Sequence, residues 1–226
     1  MTSSVAVVIP AGGAGTRLGG RTPKQFLKVG GVPILAATVR HFVSHPDVDT
    51  IVVAAPATLV DRTERLLRAH SRGTRLTVVA GGAERQESVW CGLRSVPLDS
   101  EIILVHDAVR PFITRALIDA VVRAARDAGA AICALPIAET VKRVRGDVVE
   151  TTIDRSGLWT VQTPQGFRAA LLREAHEQAR RDGVLGTDDA MLVERLGQPV
   201  KVVRGSEANV KITTPEDLRR ARASQR

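Results

Sequence analysis

Val5-Ala6-Val7-Val8-Ile9 runs without a break into Pro10-Ala11-Gly12-Gly13-Ala14-Gly15-Thr16-Arg17-Leu18, and the join between these two stretches decides the fold. An unbroken apolar run rich in β-branched residues reads as a strand buried on both faces, the habit of parallel sheets covered by helices. The glycines and alanines after it let the backbone approach a ligand closely, and successive N–H groups there can face phosphate oxygens. A loop of this kind lies at the carboxyl edge of its strand, where open α/β sheets bind ligands.

Outward from that join, strand-like runs and helical patterns alternate. The loop is expected to run to about Gly31, with Pro33 opening a helix through about Ser44. Strands are expected at Thr50–Ala54, Leu76–Ala80, Glu101–Val105 and Ala130–Leu135. Helices are expected at Leu59–His70 with Thr58 as N-cap, from about Glu84 to Ser95, and from the cap Thr114 to Ala128. Beyond these, a helix over Ala169–Arg181, a short helix capped by Thr187, a strand at Val200–Val203 and a helix opened by Pro215 complete the pattern. The alternation predicts an α/β protein with a doubly wound, mostly parallel sheet and right-handed crossovers. One segment departs from it. Thr140–Val144 and Val148–Ile153 flank Arg145-Gly146-Asp147 and read as a hairpin. A lone hairpin is marginal in water and needs a surface to lean on, either its own domain or a second subunit. Residues 1–226 thus read as one domain with a β-arm at about 138–157.

Composition sets outer bounds. A length of 226 residues suffices for a full core, and aromatics at 3 % with no Tyr leave that core to aliphatic residues. The formal net charge of +8 invites a nucleic-acid reading. The basic residues are scattered, however, and stacking platforms are scarce, so an anionic small-molecule site explains the charge more simply. Lys occurs only at positions 24, 28, 142, 201 and 211. Cys91 and Cys133 each sit in an apolar element and read as buried thiols. No signal peptide or membrane span is legible, and the expected location is the cytoplasm.

The opening loop is neither of two better-known phosphate loops. A P-loop closes on Gly-Lys-Ser/Thr, and a dinucleotide fingerprint needs Gly three residues after Gly15, where Leu18 stands. Arg17 and, in Thr22-Pro23-Lys24-Gln25, Lys24 add positive charge. A second motif, Val105-His106-Asp107-Ala108-Val109-Arg110-Pro111, ends the fourth strand. Asp107 there can hold Mg²⁺ or another divalent cation, and Arg110 can grip a phosphate bidentately. His106 reads better as a hydrogen-bonded structural residue than as a ligand for a cation that prefers oxygen. A third motif, Gly81-Gly82-Ala83-Glu84-Arg85-Gln86-Glu87-Ser88, opens a helix whose free N–H groups, with Arg85 and Ser88, suit a base or an anion. Glu84 and Glu87 favour the helix dipole in the plainer reading. Downstream, Thr140, Lys142, Asp154-Arg155, Gln162-Thr163-Pro164-Gln165-Gly166, Thr187-Asp188-Asp189 and Lys211-Ile212-Thr213 supply hydroxyls and cations that suit a polyol phosphate; a cap or solvated charge explains each one singly.

Taken in order, these motifs resemble the 2-C-methyl-D-erythritol 4-phosphate cytidylyltransferase family nearly end to end. The resemblance implies a three-layer Rossmann-like nucleotidylyltransferase fold with a protruding β-hairpin arm. It implies catalytic roles for Arg17, Lys24, Arg155 and Lys211. Pro10, Ala11, Gly12, Gly13, Ala14 and Gly15 would wrap the triphosphate of CTP; Gly82, Ala83, Arg85, Ser88 and Ala108 would complete the nucleotide site. Asp107, Arg110, Thr140, Arg155, Thr163 and Lys211 would hold methylerythritol phosphate, with Asp107 also the metal ligand. Arg155 would act in the neighbouring subunit of a homodimer joined through the arm; no nucleic acid or membrane partner is implied. Gly12, Val109 and Asp189 depart from the Ala, Ala and Glu usual in the family. The alternatives are a cytidylyltransferase for ribitol 5-phosphate, a non-catalytic nucleotide-binding module, and a nucleic-acid-binding protein.

Overall fold

The computed structural model describes residues 4–12, 22–71 and 73–224. Gly13, Ala14, Gly15 and Arg17 lie outside the described residues. In chain order the elements are β1 (Val5–Pro10), β2 (Lys28–Val29), β3 (Val32–Pro33), α1 (Ile34–Val43), β4 (Val48–Ala55) and α2 (Val60–Arg68). They continue with β5 (Arg75–Ala80), α3 (Arg85–Leu93), β6 (Ile102–Val105), α4 (Arg115–Ala128), β7 (Ala130–Pro136), and the hairpin β8 (Val141–Arg145) and β9 (Val148–Ile153). The last are β10 (Trp159–Arg168), α5 (Ala169–Arg181), α6 (Asp189–Arg195), β11 (Lys201–Arg204) and α7 (Pro215–Ala223).

Seven strands form one sheet in the order β11-β7-β10-β6-β1-β4-β5. β1 pairs in parallel with β4 and β6, β4 with β5, and β7 with β11. Alternation along β1 assigns its faces. Val5, Val7 and Ile9 pack with residues of α1, α2 and α4, while Ala6 and Val8 pack with α3, α5 and α6. Three layers result, and both faces of the sheet are covered by mainly aliphatic residues, as the run at 5–9 requires.

Several expectations need correction. The Trp159–Arg168 segment, read only for its polar side chains, is a ten-residue strand in the middle of the sheet, antiparallel to both β6 and β7. Pro164, preceded by a cis peptide bond, sits at a register shift between Gln162 and Gln165, and Gly166 follows. Pro and Gly hid the strand because both normally weaken a sheet interior. The segment before α1 is not one long loop, since a 3-10 turn at Lys24–Phe26 and the short pair β2–β3 occupy it. Thr58 does not cap α2: a 3-10 turn at Ala57–Leu59 precedes the helix, whose N-cap is Leu59 with no side-chain bond. Asp188 rather than Thr187 caps α6, accepting from the Met191 N–H at 2.9 Å. The Thr114 cap stands as expected.

Gly166 shows why this strand accepts glycine. A Cβ there would lie 2.8 Å from Val121 Cγ1 and 3.1 Å from Leu104 Cδ2, so its absence lets α4 lie against the sheet. Gly166→Ala is therefore expected to destabilise the fold by about 1–3 kcal/mol through overpacking. Urea unfolding at neutral pH measures this directly; an unchanged midpoint would show that α4 shifts at no cost.

Candidate active site

The carboxyl ends of β1 and β6, the bend of β10 and the loop before α7 converge on two adjoining cavities. The first, about 370 Å³, is lined by Pro10, Ala11 and Gly12, by Lys24, and by Ala83, Ser88 and Ala108 among others. The second, about 300 Å³, is lined by Arg110, Gln162, Thr163, Gln165, Thr187 and Asp188. Arg85, Asp107 and Lys211 line both and so form the partition between them.

Local geometry explains how each side chain arrives there. Gln25 is buried and donates to the Ala11 carbonyl at 3.1 Å, tying the 3-10 turn that bears Lys24 to the start of the glycine-rich loop. Thr38 of α1 donates to the Ala108 carbonyl at 3.1 Å, bracing the turn after β6. On the far side, Asn209 donates to the Thr163 carbonyl at 2.8 Å, and its own carbonyl accepts from Arg110 at 2.7 Å. Gln162 bonds both the N–H and the carbonyl of Ser206, so β10 grips the loop that delivers Lys211.

Asp107 is buried, and three cations surround its carboxylate. Lys211 Nζ lies 2.9 Å from Oδ2, Arg85 Nε 3.4 Å from Oδ1 and Arg110 Nε 3.5 Å from Oδ2. Burial by itself would raise the carboxyl pKa, but Arg85, Lys211 and Arg110 outweigh it and hold Asp107 well below the usual carboxylate range. An ionised carboxylate facing both cavities suits Mg²⁺, which takes one or two carboxylates plus substrate phosphates. No cluster of three His, Cys, Asp or Glu gathers among the described residues, so the fit is to an ion arriving with phosphate oxygens.

A directed hydrogen-bond chain underlies this carboxylate. His106 Nε2 lies 3.1 Å from the Arg110 carbonyl, which only accepts, so Nε2 carries the proton. Nδ1 then accepts from the Thr163 hydroxyl at 3.2 Å, and Thr163 Oγ1 accepts the Asp107 N–H at 3.0 Å. His106 is thus the structural residue expected. The Thr163 proton is committed inward, so towards a ligand Thr163 offers a lone pair only.

Just ahead of α3, two N–H groups are already taken. Glu87 Oε2 accepts from the N–H of Ala83 at 2.8 Å and of Glu84 at 3.4 Å. Gly82 permits that approach, since a Cβ there would lie 2.3 Å from Glu87 Cβ. Ala83 and Ser88 still line the first cavity, but an anion cannot use the Ala83 N–H without displacing Glu87. Arg85, expected beside the base, is committed to Asp107 and Asp189. Thr140 and Arg155 line neither cavity. They flank the exposed hairpin, where Arg155 donates to the Ala138 carbonyl of its own chain. Motif reading quoted Gln25 and Gln162 without giving either a role, and it did not single out His176 or Asn209, whose burial comes from contacts distant in the chain.

The family model for 2-C-methyl-D-erythritol 4-phosphate cytidylyltransferase matches residues 5–226. The chain belongs to this family. A relative of that name from Symbiobacterium thermophilum is 50 % identical over 218 residues, covering 96 % of this chain and 91 % of the relative. The solved structure of the enzyme so named from Thermus thermophilus superposes with a TM-score of 0.83 at 39 % identity, covering 98 % of each chain. That of a 4-diphosphocytidyl-2C-methyl-D-erythritol synthase from Anaerococcus prevotii gives 0.86 at 30 % identity, covering 100 % of both. The three-layer, mostly parallel fold expected from the family resemblance is the fold observed.

Burial drives the His106 pKa from 6.5 down to about 4, against a raising contribution from the Arg110 carbonyl bond. The unfolded chain therefore binds a proton between these values that the folded chain refuses. This contribution to stability is whole above pH about 6.5 and is lost as pH falls towards 4, to a limit of about 3 kcal/mol. His106→Gln keeps an acceptor for Thr163 and a donor for Arg110 without titrating. Urea unfolding across that window should show a shallower acid limb for the variant by about one proton; parallel limbs would contradict the assignment.

Proposed function

We propose that the chain joins CTP to 2-C-methyl-D-erythritol 4-phosphate, giving 4-diphosphocytidyl-2-C-methyl-D-erythritol and pyrophosphate in isoprenoid precursor biosynthesis. One observation carries this beyond the family name: the Arg85–Asp107–Lys211 partition is shared by two cavities, one lined by Pro10, Ala11 and Gly12 and one by hydroxyl, amide and guanidinium groups. Two anions can meet across it. A phosphate oxygen of the polyol attacks the α-phosphorus of CTP in line, the bond to the bridging oxygen of the β-phosphate breaks, and pyrophosphate leaves.

The nucleophile needs no protein base, because a phosphate monoester with a second pKa near ~6 is largely dianionic at neutral pH. Catalysis is therefore positioning and charge neutralisation. Lys24 and Arg17 serve the α-phosphate, Pro10 to Gly15 the triphosphate, and Ser88, Ala83, Gly82 and Ala108 the nucleoside. Arg110 and Lys211 hold the phosphate of the polyol, and Thr163 accepts from one of its hydroxyls. A divalent cation such as Mg²⁺, held by Asp107 and triphosphate oxygens, would neutralise further charge.

Residues 1–226 act as one domain, and the arm completes a homodimer. The hairpin exposes Val144, Val148 and Val149, and Trp159, Val161 and Val202 are exposed as well. Apolar exposure on so marginal an element fits a covering subunit, into whose site Thr140 and Arg155 would reach. No helix among the described residues is long and apolar enough to cross a membrane; a cytoplasmic location is part of the same reading.

A pyrophosphate-release assay of each ribonucleoside triphosphate against methylerythritol and ribitol phosphates tests the reaction. Release is expected with CTP and methylerythritol phosphate, and Lys24→Ala or Arg17→Ala should lower it by more than about tenfold with the fold intact. Preference for another pair would overturn the assignment. Trans action of the arm has its own test. Mixing Lys24→Ala with Arg155→Ala subunits should restore activity to about a quarter of the wild-type sites, because each heterodimer keeps one intact site; no recovery after subunit exchange would place Arg155 in its own subunit's site.

A further inference from the structure

Arg85 lies between two carboxylates, only one of which faces the cavities. Its Nη1 is 2.8 Å from Asp189 Oδ2, while its Nε is 3.4 Å from Asp107 Oδ1. The shorter bond thus goes inward, to a group only 1 % exposed at the start of α6. Asp189 is itself held on both sides. His176 Nε2 of α5, fully buried, lies 3.0 Å from Oδ1, and the N–H groups of Asp189 and Ala190 both donate to Gln165 Oε1 at 3.2 Å. Trp90 of α3 stacks on the His176 ring with centroids 6.4 Å apart.

A buried ion pair is weak evidence for stability, since apolar residues of similar volume often serve as well. What this one supplies is direction. A guanidinium held by Asp107 alone, through one long bond, can swing about that bond, whereas a second anchor on Nη1 fixes the plane of the fork. We propose that Asp189, itself oriented by His176, is a positioning residue for the transfer reaction: it fixes the Arg85 guanidinium and, through it, the Asp107 carboxylate at the partition between the two cavities. The proposal rests on the cytidylyl-transfer reading above.

The test is a double-mutant cycle on kcat, with KM for CTP and Tm followed in parallel. Asp189→Asn should keep KM for CTP within about threefold and lower kcat by more than about tenfold, because the reacting geometry suffers more than ground-state binding. Arg85→Gln should do the same, and the double variant should be no worse than Arg85→Gln alone, since one residue acts through the other. Asp189→Glu, which keeps the charge, should recover most of kcat. Losses that multiply in the double variant, or wild-type kcat in Asp189→Asn, overturn the proposal. Should Asp189→Asn fail to fold, His176→Ala takes its place: reduced kcat restored in His176→Gln supports the proposal, and unchanged kcat in folded His176→Ala overturns it. A wild-type chain inactive with CTP and methylerythritol phosphate would instead overturn the functional reading.

Discussion

A carboxylate buried at the edge of an aliphatic sheet has to be matched by charge, and Asp107 is matched by cations from three separate parts of the chain. Arg85 comes from the start of α3, Arg110 from the turn after β6, and Lys211 from the loop before α7. Each is delivered by its own bracing. Asp189 anchors Arg85, the Asn209 carbonyl anchors Arg110, and Gln162 grips the loop leading to Lys211. The site is thus a balance of charges set before any ligand arrives, which is the condition for stabilising phosphoryl charge without reorganisation.

That balance also says what His106 and Thr163 do not supply. His106 lies beside Asp107, where a general base might be sought, yet its ring is buried, neutral at physiological pH and bonded through both nitrogens to the scaffold. It sets the orientation of the turn. The Thr163 hydroxyl is drawn into the same chain, so what these residues offer a substrate is fixed dipole and charge rather than proton transfer. Joining two phosphates asks for little else.

The carboxyl edge of β1, the alternating elements and the Asp107 and Arg110 positions were all legible in the sequence, because buried parallel strands and ligand loops leave local signatures in residue type. β10 was not. Pro164 sits where the ladder register shifts, Asn209 takes up the Thr163 carbonyl and α4 presses against Gly166, and both partners are distant in sequence. The reach of Glu87 beyond its own helix was not legible for a related reason. The sequence showed glutamates at a helix start but not that Gly82 brings Glu87 close enough to take the Ala83 N–H.

By itself, then, the sequence determined the layered α/β architecture and the inventory of cationic, hydroxyl and carboxylate groups, because apolar periodicity and loop composition act locally. Only the tertiary structure decided how that inventory divides. It placed Arg85, Asp107 and Lys211 in one partition, turned Arg85 towards Asp189, and left Thr140 and Arg155 out on an exposed hairpin. The physical reason is that electrostatic matching in a low-dielectric interior depends on distances between residues far apart in the chain, and no local pattern of residue types encodes those distances.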